Sequence, residues 1–348
     1  MKAMILAAGV GNRLMPMTRD IPKPMVPVAN VPLMENIVGL LAQHGLDRMV
    51  ANLHYHGDQI REYFGDGARW GVEMHYSVEE ELMGTAGGVK RCQAFLDETF
   101  VIVSGDALTD IDLSALVAEH KRKGALATIA LKEVEEVELF GIVITDEEGR
   151  ISSFQEKPQR EEARSNLANT GIYVFEPEIF NHIPADRFYD FGKEVFPALV
   201  REEAPFYGVR VDGYWCDIGS MHTYSRAQGD VLQGRVKART RGRLVEALRG
   251  GKLLLGDDVE IDEQAIFAGN VVLGDRCVIG GHAFIADSVI WSDTYVGNAA
   301  TLEGCVIGSH CHLGAGAKVR PGSAIASGCI LTPGKEIIAE SRVYGDGE

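Results

Sequence analysis

Long apolar runs are missing from this chain. No stretch approaches the roughly 20 residues a membrane-spanning helix needs, so no membrane partner is expected. The N-terminus runs straight into a strand-like segment, without the basic-then-apolar layout of a secretory signal. Six cysteines are scattered with no Cys-x-x-Cys pair, which favours reduced thiols and a cytoplasmic setting. Positive charge is also in deficit. Against 50 Asp and Glu stand 34 Lys and Arg, a formal net charge of −16. A broad nucleic-acid-binding surface is therefore not expected. A polyphosphate ligand would have to find a local basic pocket or bring its own cation.

One further thing is lacking near the start. The strand-like run Met4–Ala8 leads into Gly9-Val10-Gly11, as in a dinucleotide fingerprint, but Leu14 stands where the third glycine belongs. Pro16, Pro22, Pro24, Pro27 and Pro32 then forbid the uninterrupted helix that such a fold requires. What remains is a long extended loop with cations at Arg13 and Lys23. Such a loop suits a triphosphate better than a nicotinamide dinucleotide.

What is present falls into two grammars. Over residues 1–234 strand-like segments (Lys2–Ala8, Arg48–Leu53, Val72–Tyr76, Phe100–Ser104, Ala125–Leu131) alternate with helix-like ones. The helical segments are Leu33–His44, Gly57–Phe64, Thr85–Leu96 and Leu113–Lys121, the last with Asp112 as a candidate N-cap. This alternation predicts an α/β domain with a mixed, mostly parallel sheet, its ligands beyond the strands' carboxyl ends. Residues 235–256, rich in arginine and glycine, read as a linker.

From 257 to 348 apolar anchors recur every six residues: Ile261, Phe267, Leu273, Ile279 and Ile285. Five-residue steps to Ile290 and to Ile307 interrupt the period, which then continues through Leu331. A six-residue period fits neither a helix nor an alternating strand. It predicts a triangular parallel β-helix with one anchor per flat face.

Six ordered motifs now carry a resemblance that spans nearly the whole chain. They are LAAGVGNRLMPMTRDIPKPMVPV, GTAGGV at 84–89, VSGD at 103–106, FQEKP at 154–158, NTGIYVF at 169–175 and WCDIG at 215–219. Together they resemble the sugar-1-phosphate nucleotidyltransferases, most of all the mannose-1-phosphate guanylyltransferases. The resemblance implies a Rossmann-like catalytic domain followed by a left-handed β-helix of hexapeptide repeats. It also implies transfer of a nucleotidyl group from an NTP, here expected to be GTP, to a sugar-1-phosphate, here expected to be mannose-1-phosphate, with Mg²⁺.

Both reactants are polyanions, so such a site needs close backbone amides, cations and a metal. The resemblance assigns nucleotide contacts to Leu6, Ala8, Gly9, Gly11, Arg13, Lys23, Gly84, Thr85 and Ala86. Among these, Arg13 would clamp the β- and γ-phosphates and Lys23 would neutralise the α-phosphate side. Asp106 and Asp217 would hold the metal, and these four side chains form the expected catalytic set. Gly141, Glu156, Lys157, Asn169 and Gly171 would hold the sugar phosphate.

Blander readings compete at several positions. Gly9 and Gly11 could serve only a turn, and Glu156-Lys157 in isolation would be surface charges. His54-x-His56 reads as a polar loop rather than a zinc site, and Cys305, His310, Cys311 and His312 spread over different coil faces. Alternative substrates are glucose-1-phosphate with a thymidylyl, uridylyl or adenylyl donor. A β-helix acyltransferase would need a positioned histidine among His282, His310 and His312. A non-enzymatic regulatory paralogue would show eroded catalytic residues, whereas all of them are present. The β-helix is expected to drive homo-oligomerisation rather than chemistry, since the expected catalytic residues all precede Gly234.

Overall fold

The structure is a computed structural model, and it describes residues 1–247 and 249–345. The chain divides into two compact units. Met1–Gly9 with Ile37–Asp217 form the first, and Val10–Asn36 with Ile218–Glu348 form the second.

The first unit is built on a nine-stranded sheet. From its middle to one edge Phe100–Ser104, Lys2–Leu6, Arg48–Leu53 and Glu73–Val78 lie side by side, all parallel. Phe100, Val101, Ile102 and Val103 are each fully buried. Such an unbroken apolar run is what a parallel strand covered on both faces requires. Beyond it the sheet turns antiparallel through the long strand Leu167–Phe175, then Gly141–Thr145 and Ile151–Glu156. The strands Ala127–Glu133 and Phe206–Arg210 branch from the same long strand. The expected mixed, mostly parallel sheet is thus observed. Because the first strand has sequence-later neighbours on both sides, its carboxyl end opens onto a topological switch point, where α/β proteins take ligands.

Helices Gly57–Phe64 and Leu113–Lys123 match their sequence patterns closely, and Ala115 N donates to Asp112 Oδ1 at 2.9 Å, the expected cap. The helix expected over Thr85–Leu96 ends at Arg91. Its last turn breaks into tight turns, with Cys92 N bonded to Val89 O and Phe95 N to Cys92 O. One face of the sheet is filled by aromatic rings. Phe191 and Phe196 stack at 5.4 Å, and Phe196 packs on Phe206 at 5.1 Å. Each fully buried ring of this kind is worth about 1.5–3 kcal/mol over leaving it in water.

In the second unit the hexapeptide anchors define three parallel sheets. Leu255, Leu273, Ile290, Ile307, Ile325 and Val343 stack in register on one face. Ile261, Ile279, Val296, Leu313 and Leu331 stack on the second. Phe267, Ile285, Leu302, Val319 and Ile337 stack on the third. The two five-residue steps fall at the same corner, between the third face and the first, so two coils are one residue shorter than the rest. These anchors form one continuous apolar column. This is the triangular parallel β-helix that the period predicted, of the left-handed kind that the resemblance implies. Two strands, Arg243–Glu246 and Lys252–Leu255, lie inside the 235–256 stretch and pair antiparallel to start the first sheet.

Candidate active site

Beyond the carboxyl ends of the parallel strands lies a cavity of about 290 Å³. Of the residues expected to meet the nucleotide, Leu6, Ala8, Gly9, Gly84 and Thr85 line it, together with Asp106. Sequence reasoning missed Asn52, Glu79, Leu82, Ser104, Phe188 and Asp190, which complete the lining. Ala86 is fully buried beside the cavity and gives its N–H to Tyr189 O at 3.0 Å.

The floor is a hydrogen-bonded chain. Ala7 N donates to Asn52 Oδ1 at 2.9 Å, and Asn52 Nδ2 donates to Glu79 Oε1 at 2.8 Å. Glu79 Oε2 accepts from Met83 N at 2.9 Å. Glu79 is only 2% exposed, so its carboxylate is fixed by these bonds rather than solvated. His54, the histidine first weighed as a metal ligand, instead bonds through Nδ1 to Glu79 O at 2.9 Å. On the opposite wall Thr85 Oγ1 donates to Asp190 Oδ2 at 2.9 Å, while Phe191 N donates to Thr85 Oγ1. Leu82 and Phe188, 41% and 57% exposed, offer apolar surface at the rim.

Gly84 shows why its position demands glycine. Its φ is +74°, and a Cβ there would stand 2.5 Å from Tyr189 O.

Strand pairing brings the backbone positions of the two aspartates near each other. Ala107–Thr109 and Trp215–Asp217 form a short antiparallel ladder in which Asp217 lies opposite Ala107, the residue after Asp106. Ser104 Oγ donates to Asp106 Oδ1 at 2.5 Å. Trp215 Nε1 donates to Thr170 O at 3.0 Å, tying this ladder to the long strand Leu167–Phe175.

The residues expected to hold the sugar phosphate lie on the antiparallel part of the sheet. Glu156 pairs with Gly141, and the neighbouring pair Ile142–Ala168 brings Gly141 next to Asn169. Asn169 Oδ1 accepts from Gly171 N at 3.0 Å, across an irregularity where the long strand slips register. Asn169 also bonds the Tyr173 hydroxyl, whose pKa burial pushes up. Gly171 has φ +74°, and a Cβ there would lie 3.0 Å from Ser104 Cβ, so the bulge abuts the serine that holds Asp106. Glu156 and Lys157 are exposed at the strand end, Lys157 at φ +45° and 3.9 Å from Glu156.

Gly11, Arg13 and Lys23 belong to the second unit. Arg13 is exposed within the turn Asn12–Leu14, whose cap Gly11 has φ +75°. Lys23 is 6% exposed and opens the turn Lys23–Met25 behind Pro22. A Cβ on Gly11 would lie 3.0 Å from Lys23 Cβ, so the glycine lets the lysine stem lie against the backbone. Prolines on both sides limit the entropy lost in fixing that side chain.

All six cysteines are buried. Burial pushes Cys92 up to about 11 and Cys305 up to about 12, far from the thiolate range of a nucleophile. Among the described residues there is no group of three or more His, Cys, Asp or Glu side chains placed to hold a metal by themselves. No described helix is long and apolar enough to cross a membrane.

A glycine-rimmed cavity at the switch point of a Rossmann-like sheet, with Asp106 in its lining, is the kind of site that takes a nucleotide. Residues 2–234 match the family model described as Nucleotidyl transferase, and residues 250–344 match that described as GMPPB C-terminal domain. The chain belongs to the nucleotidyl transferase family.

A UTP–glucose-1-phosphate uridylyltransferase of Synechocystis sp. is 40% identical over 339 residues, spanning 92% of this chain and 86% of that protein. A mannose-1-phosphate guanylyltransferase of Mycobacterium tuberculosis is 31% identical across 88% of this chain and 82% of its own length. The catalytic subunit beta of the Danio rerio mannose-1-phosphate guanylyltransferase is 30% identical across 100% of this chain and 94% of its own. A Bacillus anthracis structure, provisionally named a glucose-1-phosphate thymidylyltransferase, has TM-score 0.60 and 26% identity over 66% of this chain and 94% of that one. The activity is therefore nucleotidyl transfer, in which an NTP and a sugar-1-phosphate become a nucleotide sugar and pyrophosphate.

Proposed function

We propose that the donor is GTP, the acceptor mannose-1-phosphate and the product GDP-mannose. The observation that carries this reading is the buried Glu79 carboxylate in the cavity wall. Both its oxygens already accept one hydrogen bond each and keep further lone pairs. Guanine presents two adjacent N–H donors on its pairing edge, which a carboxylate can take together; uracil presents one donor between two carbonyls. The match of residues 250–344 to the GMPPB C-terminal model supports the same reading. A second reading, UTP with glucose-1-phosphate, draws on the 40% identity to the Synechocystis uridylyltransferase.

In the reaction, a phosphate oxygen of the sugar-1-phosphate attacks the α-phosphorus. The bond to the β-phosphate oxygen breaks, and pyrophosphate leaves. Arg13 and Lys23 offset charge on the triphosphate, and backbone amides around Gly9 and Gly84 approach it closely. Glu156 and Asn169 accept or donate to sugar hydroxyls, with Lys157 toward the incoming phosphate.

Asp106 and Asp217 fit Mg²⁺, which takes one or two carboxylates and fills its octahedron with phosphate oxygens and water. Asp217 ends one strand of the ladder opposite Ala107, Asp106 stands one residue before that strand, and Ser104 bonds Asp106, which supports this reading. Bound there, Mg²⁺ would neutralise charge that builds on the phosphates.

The test is kcat/KM for GTP, UTP, dTTP and ATP against mannose- and glucose-1-phosphate, read by pyrophosphate release. The reading expects GTP with mannose-1-phosphate to lead by roughly 10²-fold or more. A lead for UTP with glucose-1-phosphate would establish the second reading instead.

A further inference from the structure

The loop that carries Arg13 and Lys23 is fastened to the β-helix on both sides of Lys23. Four residues before it, Arg19 Nη2 donates to Ser327 O at 3.0 Å and Nη1 to Tyr344 O at 2.5 Å, carbonyls of the last coils. Asp20 takes the remaining Nε–H at 2.9 Å, which fixes the plane of the guanidinium.

Four residues after Lys23, Pro27 O accepts from Tyr224 Oη at 2.6 Å and from Gln228 Nε2 at 2.9 Å. Tyr224 is fully buried, and its hydroxyl accepts from Nε1 of Trp291, a β-helix residue, at 3.0 Å. Beyond it, Ala29 N donates to Gln228 Oε1 at 2.8 Å, and Asn30 Nδ2 donates to Leu273 O at 2.9 Å. A planar guanidinium spanning two backbone carbonyls and a buried tyrosine relay are geometrically exacting contacts. A loop needing only a turn would not require them.

We infer that Arg19 and Tyr224 are positioning residues of the transfer reaction, and that the β-helix sets the place of the triphosphate-binding loop. The inference rests on the assignment of Arg13 and Lys23 to the nucleotide. Neither Arg19 nor Tyr224 touches substrate in this account; each acts through the backbone that bears Lys23. Misplacing a charged group by about 1 Å costs up to 10²-fold in rate, so loosening one tether has a kinetic signature well before the fold fails.

The experiment compares Arg19→Ala, Arg19→Lys, Tyr224→Phe and Lys23→Ala in the full chain. NTP and sugar-1-phosphate are each varied, and circular dichroism monitors the fold. Arg19→Ala and Tyr224→Phe should each lower kcat/KM for the NTP by about tenfold, leaving the sugar-1-phosphate KM within about twofold. Arg19→Lys should recover part of the loss, because an ammonium can reach one of the two carbonyls.

If both folded variants keep wild-type NTP kinetics, or lose both substrates equally in step with a lowered melting temperature, the role is structural and the inference is overturned. Should Arg19→Ala not fold, Tyr224→Phe decides alone. NTP use unaffected by Lys23→Ala would overturn the phosphate assignment, and the inference with it.

Discussion

Replacing Gly84 by alanine tests how the cavity is built. The substitution forces a Cβ into a left-handed backbone, which costs about 1–2 kcal/mol. It also drives that Cβ to 2.5 Å from Tyr189 O. This carbonyl accepts the N–H groups of Ala86 and Gly87, both at 3.0 Å, and Tyr189 N donates to Met83 O at 2.9 Å. Moving the carbonyl away weakens both helix-start bonds, each worth about 0.5–1.5 kcal/mol.

The cost is therefore about 2–5 kcal/mol, concentrated in the turn that forms one wall of the cavity. Since 1.4 kcal/mol is about tenfold in an equilibrium, even half of it raises the NTP KM by about fivefold to 60-fold. Gly124→Ala is the control. That glycine has φ +57° and caps helix Leu113–Lys123, with nothing within 4 Å of a new Cβ. It should cost about 1–2 kcal/mol of stability and leave both KM values unchanged. Steady-state kinetics with both substrates varied, beside thermal melts, separates the two. Equal melting losses with an unchanged NTP KM in Gly84→Ala would refute the argument.

Asp106→Asn and Asp217→Asn should each cut turnover by roughly 10²-fold at saturating Mg²⁺ with the fold intact; near-normal turnover in either removes that residue from the metal site. Lys23→Ala should impair NTP use, while Lys157→Ala should raise the sugar-1-phosphate KM, and reversed effects would exchange the two sides of the site. Stability should fall as pH drops below about 6.5, because burial holds the His120 imidazole below its ordinary pKa despite the bond to Glu176. The unfolded chain then binds that proton first. Above about pH 7 the contribution is constant, and denaturant melts of His120→Gln should show a shallower acid slope than wild type.

Periodicity made much of this architecture legible. A six-residue repeat can be satisfied only by a coil with three faces, and all thirteen anchors from Ile261 to Leu331 took their expected faces. Strands Arg48–Leu53 and Phe100–Ser104 were bounded correctly because each is a mainly apolar run followed by a polar residue or glycine, His54 and Gly105. The helix from Thr85 was drawn too long because Phe95 and Leu96 continue its apolar spacing. Tight turns after Arg91 instead bury Leu96 and half-bury Phe95.

Glycine and charge motifs pointed to half of the cavity. The other half was hidden, because Asn52 looks like an ordinary strand end and Asp190 lies in an irregular stretch. Only the sheet's topology brings them to one place. The tethers from Arg19 and Tyr224 were equally illegible, since one uses backbone carbonyls and the other spans some two hundred residues. They change one expectation: the β-helix, expected from sequence to serve assembly rather than chemistry, should also support NTP binding, so a chain truncated near Gly234 should lose NTP affinity.

The most direct measurement of the central claim follows an isotope. Mannose-1-phosphate carrying ¹⁸O on its phosphate is incubated with GTP and the enzyme, and the products are weighed by mass spectrometry. Attack of the sugar phosphate on the α-phosphorus predicts that all label stays in the GDP-sugar and none enters pyrophosphate. Label in pyrophosphate, or release of pyrophosphate without any labelled nucleotide sugar, would contradict it.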